Sequence, residues 1–139
     1  MRKLALLVFI TIFVSQFVAA QKGMIDVNVY NIKEPKGYLH IALYNQQKGF
    51  PHKEGVLKTY VVAVKSNRCN YTIKNLAKGD YAVVVYHDKN SDGKCNRFLG
   101  IPSESYGFSN NIRPKFSAPG FKECKFNLKG KESIFIKLK

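Results

Sequence analysis

After residue 20 the apolar residues of this chain alternate rather than recurring at helical spacing, and that period constrains the fold more than any other feature. Ile25, Val27 and Val29 line one face of a first segment, and Leu39, Ile41 and Leu43 repeat the pattern after the turn residues Glu34 to Gly37. A period of two puts alternate side chains on one face of a strand, so both segments are predicted to be half-buried strands. Cys69, Tyr71 and Ile73 alternate likewise. Leu57 to Val64 and Tyr81 to Tyr86 instead run almost continuously apolar, which predicts strands covered on both faces and places the first of them in the centre of a sheet. Pro114 and Pro119 make 112 to 120 irregular, and Phe121 to Leu128 with Ser133 to Lys139 are expected to close the fold as a hairpin across Lys129-Gly130-Lys131. About seven strands in roughly 120 residues match an all-β, immunoglobulin-like Greek-key sandwich.

The first twenty residues read differently. Arg2 and Lys3 precede an apolar run from Leu4 to Val14, and Val18-Ala19-Ala20 supplies the small residues of a signal-peptidase site. A membrane-spanning helix needs about 20 apolar residues, and here Ser15 and Gln16 interrupt a shorter run. The expectation is a signal peptide over 1–20, one domain over 21–139 with no transmembrane segment, and a periplasmic or secreted destination. Cysteine does not follow Ala20, so a lipoprotein anchor has no attachment point. Without Arg2 and Lys3, the 23 basic residues fall to 21 against 9 acidic ones, a formal charge of +12. A positive surface attracts polyanions. Because the lysines are scattered with no dense run, the charge names no partner and reads first as a solvated basic surface that aids solubility; cell-envelope polysaccharide or another exported protein is the candidate partner, and nucleic acid is not expected.

One loop carries the chemistry. Asp88, Asn90 and Asp92 occupy positions one, three and five of a calcium loop, Gly93 takes the sixth, Lys94 offers its carbonyl at the seventh and Asn96 stands at the ninth. Position twelve is Leu99 where a bidentate Glu belongs, so Glu104 would have to fold back to complete the shell. With two formal negative charges and Lys89, Lys94 and Arg97 opposing them, calcium held by Asp88, Asn90, Asp92, Lys94, Asn96 and Glu104 would bind at about 10⁻⁴ to 10⁻³ M. The competing reading needs no ion: Asp and Asn side chains turn the chain by accepting backbone N–H groups. Downstream, Tyr106 and Phe108 can stack on a sugar or plug the end of the sandwich, with Ser109, Asn110 and Asn111 bonding loop carbonyls. His87 continues a buried strand and is expected as a hydrogen-bonded core histidine.

A hydrolase can be drawn from His87, Asp88, Glu104 and Ser109, yet no G-x-S-x-G elbow, H-E-x-x-H helix or carboxylate pair accompanies them. A non-enzymatic module whose loop supports a binding or scaffolding surface is the leading reading, with hydrolase and polyanion binding through the basic surface as alternatives. Export permits a disulfide. Cys69, Cys95 and Cys124 allow three pairings and at most one bond, and Cys69 and Cys124 both fall on presumed inward strand faces.

The strings GYLHIALYN, NLAKGDYAVVVYHDKNSDGK and above all NRFLGIPSESYGFSNN, with FKECKFNLKG following in order, carry a resemblance. The chain resembles the exported bacterial family catalogued as domain of unknown function 2141 over nearly all of its length after residue 20. That resemblance implies a periplasmic or secreted β-sandwich with no established activity. The chain departs from the family pattern at Asn96, where an acid is usual, at Cys95, where an apolar residue is usual, and at Cys124, where a small apolar residue is expected. The paired departures rank a Cys95 to Cys124 bridge above Cys69 to Cys124.

Overall fold

A computed structural model describes residues 22–95, 97–98, 101–114 and 116–139. The expected signal over 1–20 lies outside the described residues, and so does Asn96. Among the described residues the strands are β1 (Gly23–Tyr30), β2 (Tyr38–Tyr44), β3 (Lys58–Ala63), β4 (Arg68–Leu76), β5 (Gly79–Asp88), β6 (Arg97–Phe98), β7 (Ile101–Pro102), β8 (Tyr106–Phe108), β9 (Phe126–Leu128) and β10 (Lys131–Lys137); a one-turn helix, α1 (Phe121–Cys124), precedes β9. In the smaller sheet β1 lies between β10, parallel to it, and β4, antiparallel to it. The larger sheet runs β3-β2-β5-β8, with β9 beside the first residues of β5. Among the described residues β6 and β7 pair only with each other.

The alternation predicts which side chains the two sheets enclose. Ile25, Val27 and Val29 of β1 meet Leu39, Ile41 and Leu43 of β2, Val83 and Val85 of β5 and Ile136 of β10 in one core, each at most 1 % exposed. Burying an aliphatic side chain of this size contributes about 1.5 to 3 kcal/mol, so slipping any of these strands by one residue is strongly opposed. The sheets are also joined along one side. Tyr106 and Lys139 exchange two backbone hydrogen bonds of 3.1 Å, which tie β8 to the chain just beyond β10.

That junction explains the glycine between two aromatic residues in Tyr106-Gly107-Phe108. A Cβ at Gly107 would stand 2.5 Å from Ile136 Cγ2 and 3.0 Å from the Lys137 carbonyl oxygen. Gly107→Ala is therefore expected to destabilise the fold by about 1 to 3 kcal/mol, the usual cost of overpacking. Urea unfolding measures it, and a change below about 0.5 kcal/mol would show that β10 yields easily there.

Two expectations are corrected. The apolar run from Leu57 to Val64 forms an edge strand, not a central one: β3 pairs only with β2, and Leu57 and Val61 remain 49 % and 56 % exposed. An apolar residue on both faces does not require a cover on both faces. The closing hairpin is also absent. Phe121–Cys124 turns into α1 because the Glu123 carboxylate accepts the Gly120 N–H at 2.8 Å and caps the turn. β9 then pairs with β5 in the larger sheet, while β10 joins β1 in the smaller one. Lys129 and Gly130 carry the chain across the sandwich, held by Met24 N–H donating to the Gly130 carbonyl at 2.8 Å.

The outward faces of the two sheets differ in kind. On the smaller sheet Thr72 donates to Asp26 at 2.6 Å, Lys131 pairs with Asp26 at 3.1 Å and Asn70 donates to Asn28 at 2.8 Å, an ordinary polar surface. On the larger sheet the outward positions include Ala42, Tyr44, Ala82, Val84, Tyr106 and Phe108, and a second apolar cluster with Phe121 and Cys124 grows over them. No helix among the described residues is long and apolar enough to cross a membrane.

Candidate functional site

The outward face of the larger sheet is only partly covered, and a groove of about 940 Å³ remains open across it. Its floor is small because β2 places Ala42 outward and β5 places Val84 outward. Its walls are aromatic. Tyr44 at one end packs edge-on to Phe50 at 4.9 Å, and Tyr106 packs edge-on to Phe108 at 5.8 Å. At the other end His40 stacks on Tyr86, ring centres 4.5 Å apart and planes within 11°. The segments 51–54 and 116–118 complete the rim.

Beneath the His40 end lies the Asp88 loop. Asp88 closes β5 at 1 % exposure. One carboxylate oxygen accepts the Asp92 N–H at 3.2 Å and the other the Gly93 N–H at 2.9 Å. Asp92 in turn accepts the Lys94 N–H at 2.8 Å and an Asn90 amide hydrogen at 3.0 Å. Glu104, 6 % exposed, folds back to this loop and accepts the Lys89 N–H at 3.2 Å. The second oxygen of Asp88 also lies 3.4 Å from His40 Nε2, which couples the loop to the groove wall.

This is a turn bonded to itself. Of the six residues expected around calcium, Asp88, Asp92 and Glu104 have carboxylate oxygens facing backbone N–H donors, Asn90 and Lys94 stand exposed, and Asn96 is outside the described residues. No group of three or more His, Cys, Asp and Glu side chains converges to hold a metal among the described residues. Each of these carboxylates is already met by at least one backbone N–H, so the loop keeps its turn without an ion. The acids act on their neighbour instead. Burial first, then the charges of Cys95, Asp88, Glu104 and Asp92, push the Tyr86 phenol up to about 12, so Tyr86 presents a neutral hydroxyl. At the loop's outer edge Glu34 bridges Lys36 and Lys89, whose ammonium groups hold its carboxyl down at about 2.

The remaining motif residues are structural. His87 Nε2 lies 2.7 Å from the Lys36 carbonyl and therefore carries the proton there. Ser109 receives the Val83 N–H at 3.0 Å and donates to the Cys124 carbonyl at 2.6 Å. Asn110, left-handed at φ 61, donates to the carbonyls of Glu123 and Lys125. Asn111 stands in for a strand, donating to the Phe135 carbonyl and accepting the Lys137 N–H. Tyr106 and Phe108 do not plug the sandwich end; they project onto the outer face opposite Tyr86 and Val84.

The expected Cys95 to Cys124 bridge is not formed, nor is any other disulfide. Cys124 sits in α1, not on a strand, and packs at 0 % exposure with Phe121 in the outer-face cluster. Burial, and then Glu123, push its thiol up to about 12. Cys95 lines the groove, and Cys69 packs against the main core.

Sequence reasoning missed His40, Tyr44 and Tyr86 as groove residues. Their signal lay in the outward positions of β2 and β5, His-x-Ala-x-Tyr and Ala-x-Val-x-Tyr, where a solvated face would carry charge. Neither the curated proteins nor the solved structures yield a match. A family model does: that of uncharacterized proteins conserved in bacteria (DUF2141) matches residues 27–135. Because that match spans both sheets, the groove and the Asp88 loop, the chain belongs to the DUF2141 family of bacterial proteins.

Proposed function

We propose that the protein is an exported, non-catalytic module that holds a saccharide of the cell envelope in the groove over its larger sheet, with the self-bonded Asp88 loop as rigid support. The observation that carries this reading is how its polar groups are divided. The four buried polar side chains among the described residues are His87, Asp88, Glu104 and Ser109, the same four from which a hydrolase would be drawn. Each makes a hydrogen bond to backbone within the fold. Tyr86, Tyr106 and His40, by contrast, are partly exposed and line the groove, with His40 Nε2 turned to Asp88. An amphipathic ring of that kind suits a sugar, which offers one apolar face and hydroxyls around its edge. Cleavage of the signal near Ala20 would deliver the module to the compartment where such polymers occur.

Thr59 stands exposed at the groove rim on β3, opposite Ala42, so Thr59→Trp fills the groove without entering the core. Soluble oligosaccharides added to isotope-labelled protein are expected to shift the NMR signals of His40, Tyr86 and Tyr106 in a saturable way. Thr59→Trp should abolish those shifts with the unfolding temperature unchanged. Shifts that persist in the variant place the ligand elsewhere, and shortening of the oligosaccharide during the titration would return the protein to the hydrolases.

A further inference from the structure

A second cavity of about 270 Å³ lies on the far side of Tyr106 and Phe108, between β8 and the end of β10. Arg113, Lys137 and Lys139 line it together with Tyr30, and no Asp or Glu is among its lining residues. None of these three cations takes part in the ion pairs between described residues, which engage Lys36, Lys89, Lys125, Lys131 and His40 instead. Like charges gathered together repel one another. Partial loss of solvent, and then Arg113 and Lys137, accordingly lower the pKa of the Lys139 ammonium. The sequence shows only scattered lysines here. The fold brings residue 113, from the segment after β8, beside residues 137 and 139 because Asn111 is fastened to β10 and Tyr106 to Lys139.

The cleft and the groove are neighbours. Tyr106, Phe108 and Pro114 line both, so a ligand lying across the groove can extend one substituent over this wall into the cleft. We infer that the cleft is a subsite for the anionic substituent, carboxylate or phosphate monoester, of an acidic saccharide whose rings lie in the groove. The ring-bearing part of this inference rests on the groove reading above; the anion subsite rests on the three cations alone. Arg113 supplies a planar fork that matches either oxyanion with two parallel hydrogen bonds, and the two lysines add charge around it.

Three probes test this by calorimetric titration of the full domain: tetragalacturonate, its fully methyl-esterified counterpart, and a maltotetraose monophosphate. The methyl ester keeps the ring shape and removes the charge. At least one acidic probe is expected to bind more tightly than the ester and to weaken as salt rises; whether carboxylate or phosphate prevails identifies the substituent. Arg113 and Lys137 are exposed, so the double variant Arg113→Gln with Lys137→Gln should fold normally. It should lose about tenfold in affinity for the acidic probe, the attraction of two cations about 6 Å from an anion in a water-like dielectric, and leave the ester unaffected. An acidic affinity that stays within twofold in the double variant overturns the subsite, as does failure of both acidic probes to bind at 10 mM (on the order of the weakest useful sites). Loss of ester binding in Thr59→Trp with no effect of the double variant keeps the groove and removes the subsite. An effect of the double variant with none from Thr59→Trp keeps the subsite and removes the groove.

Discussion

Gly37→Ala is expected to cost about 3 kcal/mol. Gly37 has φ 70, and a Cβ there would stand 2.1 Å from the Asp88 carbonyl oxygen and 2.9 Å from Lys89 Cα. About 1 kcal/mol follows from holding an L-residue in the left-handed region. About 2 kcal/mol more follows from pushing two backbone segments apart where neither can rotate away. The turn has little freedom to move. Its Lys36 carbonyl accepts from the buried His87 ring at 2.7 Å, and the Gly37 carbonyl accepts the Val64 N–H at 3.0 Å. One turn thus fixes the start of β2, the exit from β3 and the end of β5, from which the Asp88 loop hangs. Urea unfolding should show the midpoint fall with an unchanged slope, and the amides from Lys89 to Lys94 should exchange faster with solvent. A loss below 1 kcal/mol would mean that the turn and the loop are not mechanically joined.

Much of this architecture is legible in the sequence, for a physical reason. β1 and β2 read correctly because one face of each is buried at 0 to 1 % exposure along Ile25-Val27-Val29 and Leu39-Ile41-Leu43, and a period of two records that burial directly; β5 reads as a strand from its continuous apolar run, with Val83 and Val85 in the core and Ala82 and Val84 in the outer cluster. β3 misleads because its apolar residues serve different ends: Tyr60 and Val62 pack on the core while Val61 faces solvent. The order of apolar residues cannot separate a covered face from an open one. Cys124 misleads because the inward face of a strand was assumed where Glu123 caps a helical turn. The groove is hardest to read. It needs Phe50, Phe108 and Phe121, distant in sequence, to gather over one end of a sheet face, their rings 5.7 to 6.5 Å apart, and leave the other end open. The loop falls between these cases. Its spacing announces a turn built on Asp88, and Glu104 returns to it, but whether N–H groups or an ion meet the carboxylates depends on geometry that spacing leaves free.

Asp88→Ala isolates that geometry. The substitution removes both acceptors of the Asp92 and Gly93 N–H groups and the acid beside His40 Nε2. Hydrogen bonds to a charged group contribute about 1.5 to 3 kcal/mol each. Asp92 and Gly93 are exposed, so water recovers part of that, and a net loss of about 3 kcal/mol is expected. Asp88→Asn keeps one acceptor oxygen in nearly the same volume and should lose about half as much. Hydrogen exchange should locate the damage: fast exchange at Asp92 and Gly93 in the alanine variant, with the core amides of β1 and β2 changed only by the global loss. Calcium provides the control. Because the loop oxygens already face N–H donors, wild-type protein is expected to unfold at the same temperature in 10 mM calcium (roughly tenfold above the weakest extracellular calcium modules) as in chelator. A calcium-dependent rise in the wild type that disappears in Asp88→Ala would instead assign the loop to a cation. The outcome decides more than the ion, since a self-bonded loop holds His40 and Tyr86 in place at any calcium concentration, whereas a cation-dependent one would make the groove itself conditional on the metal.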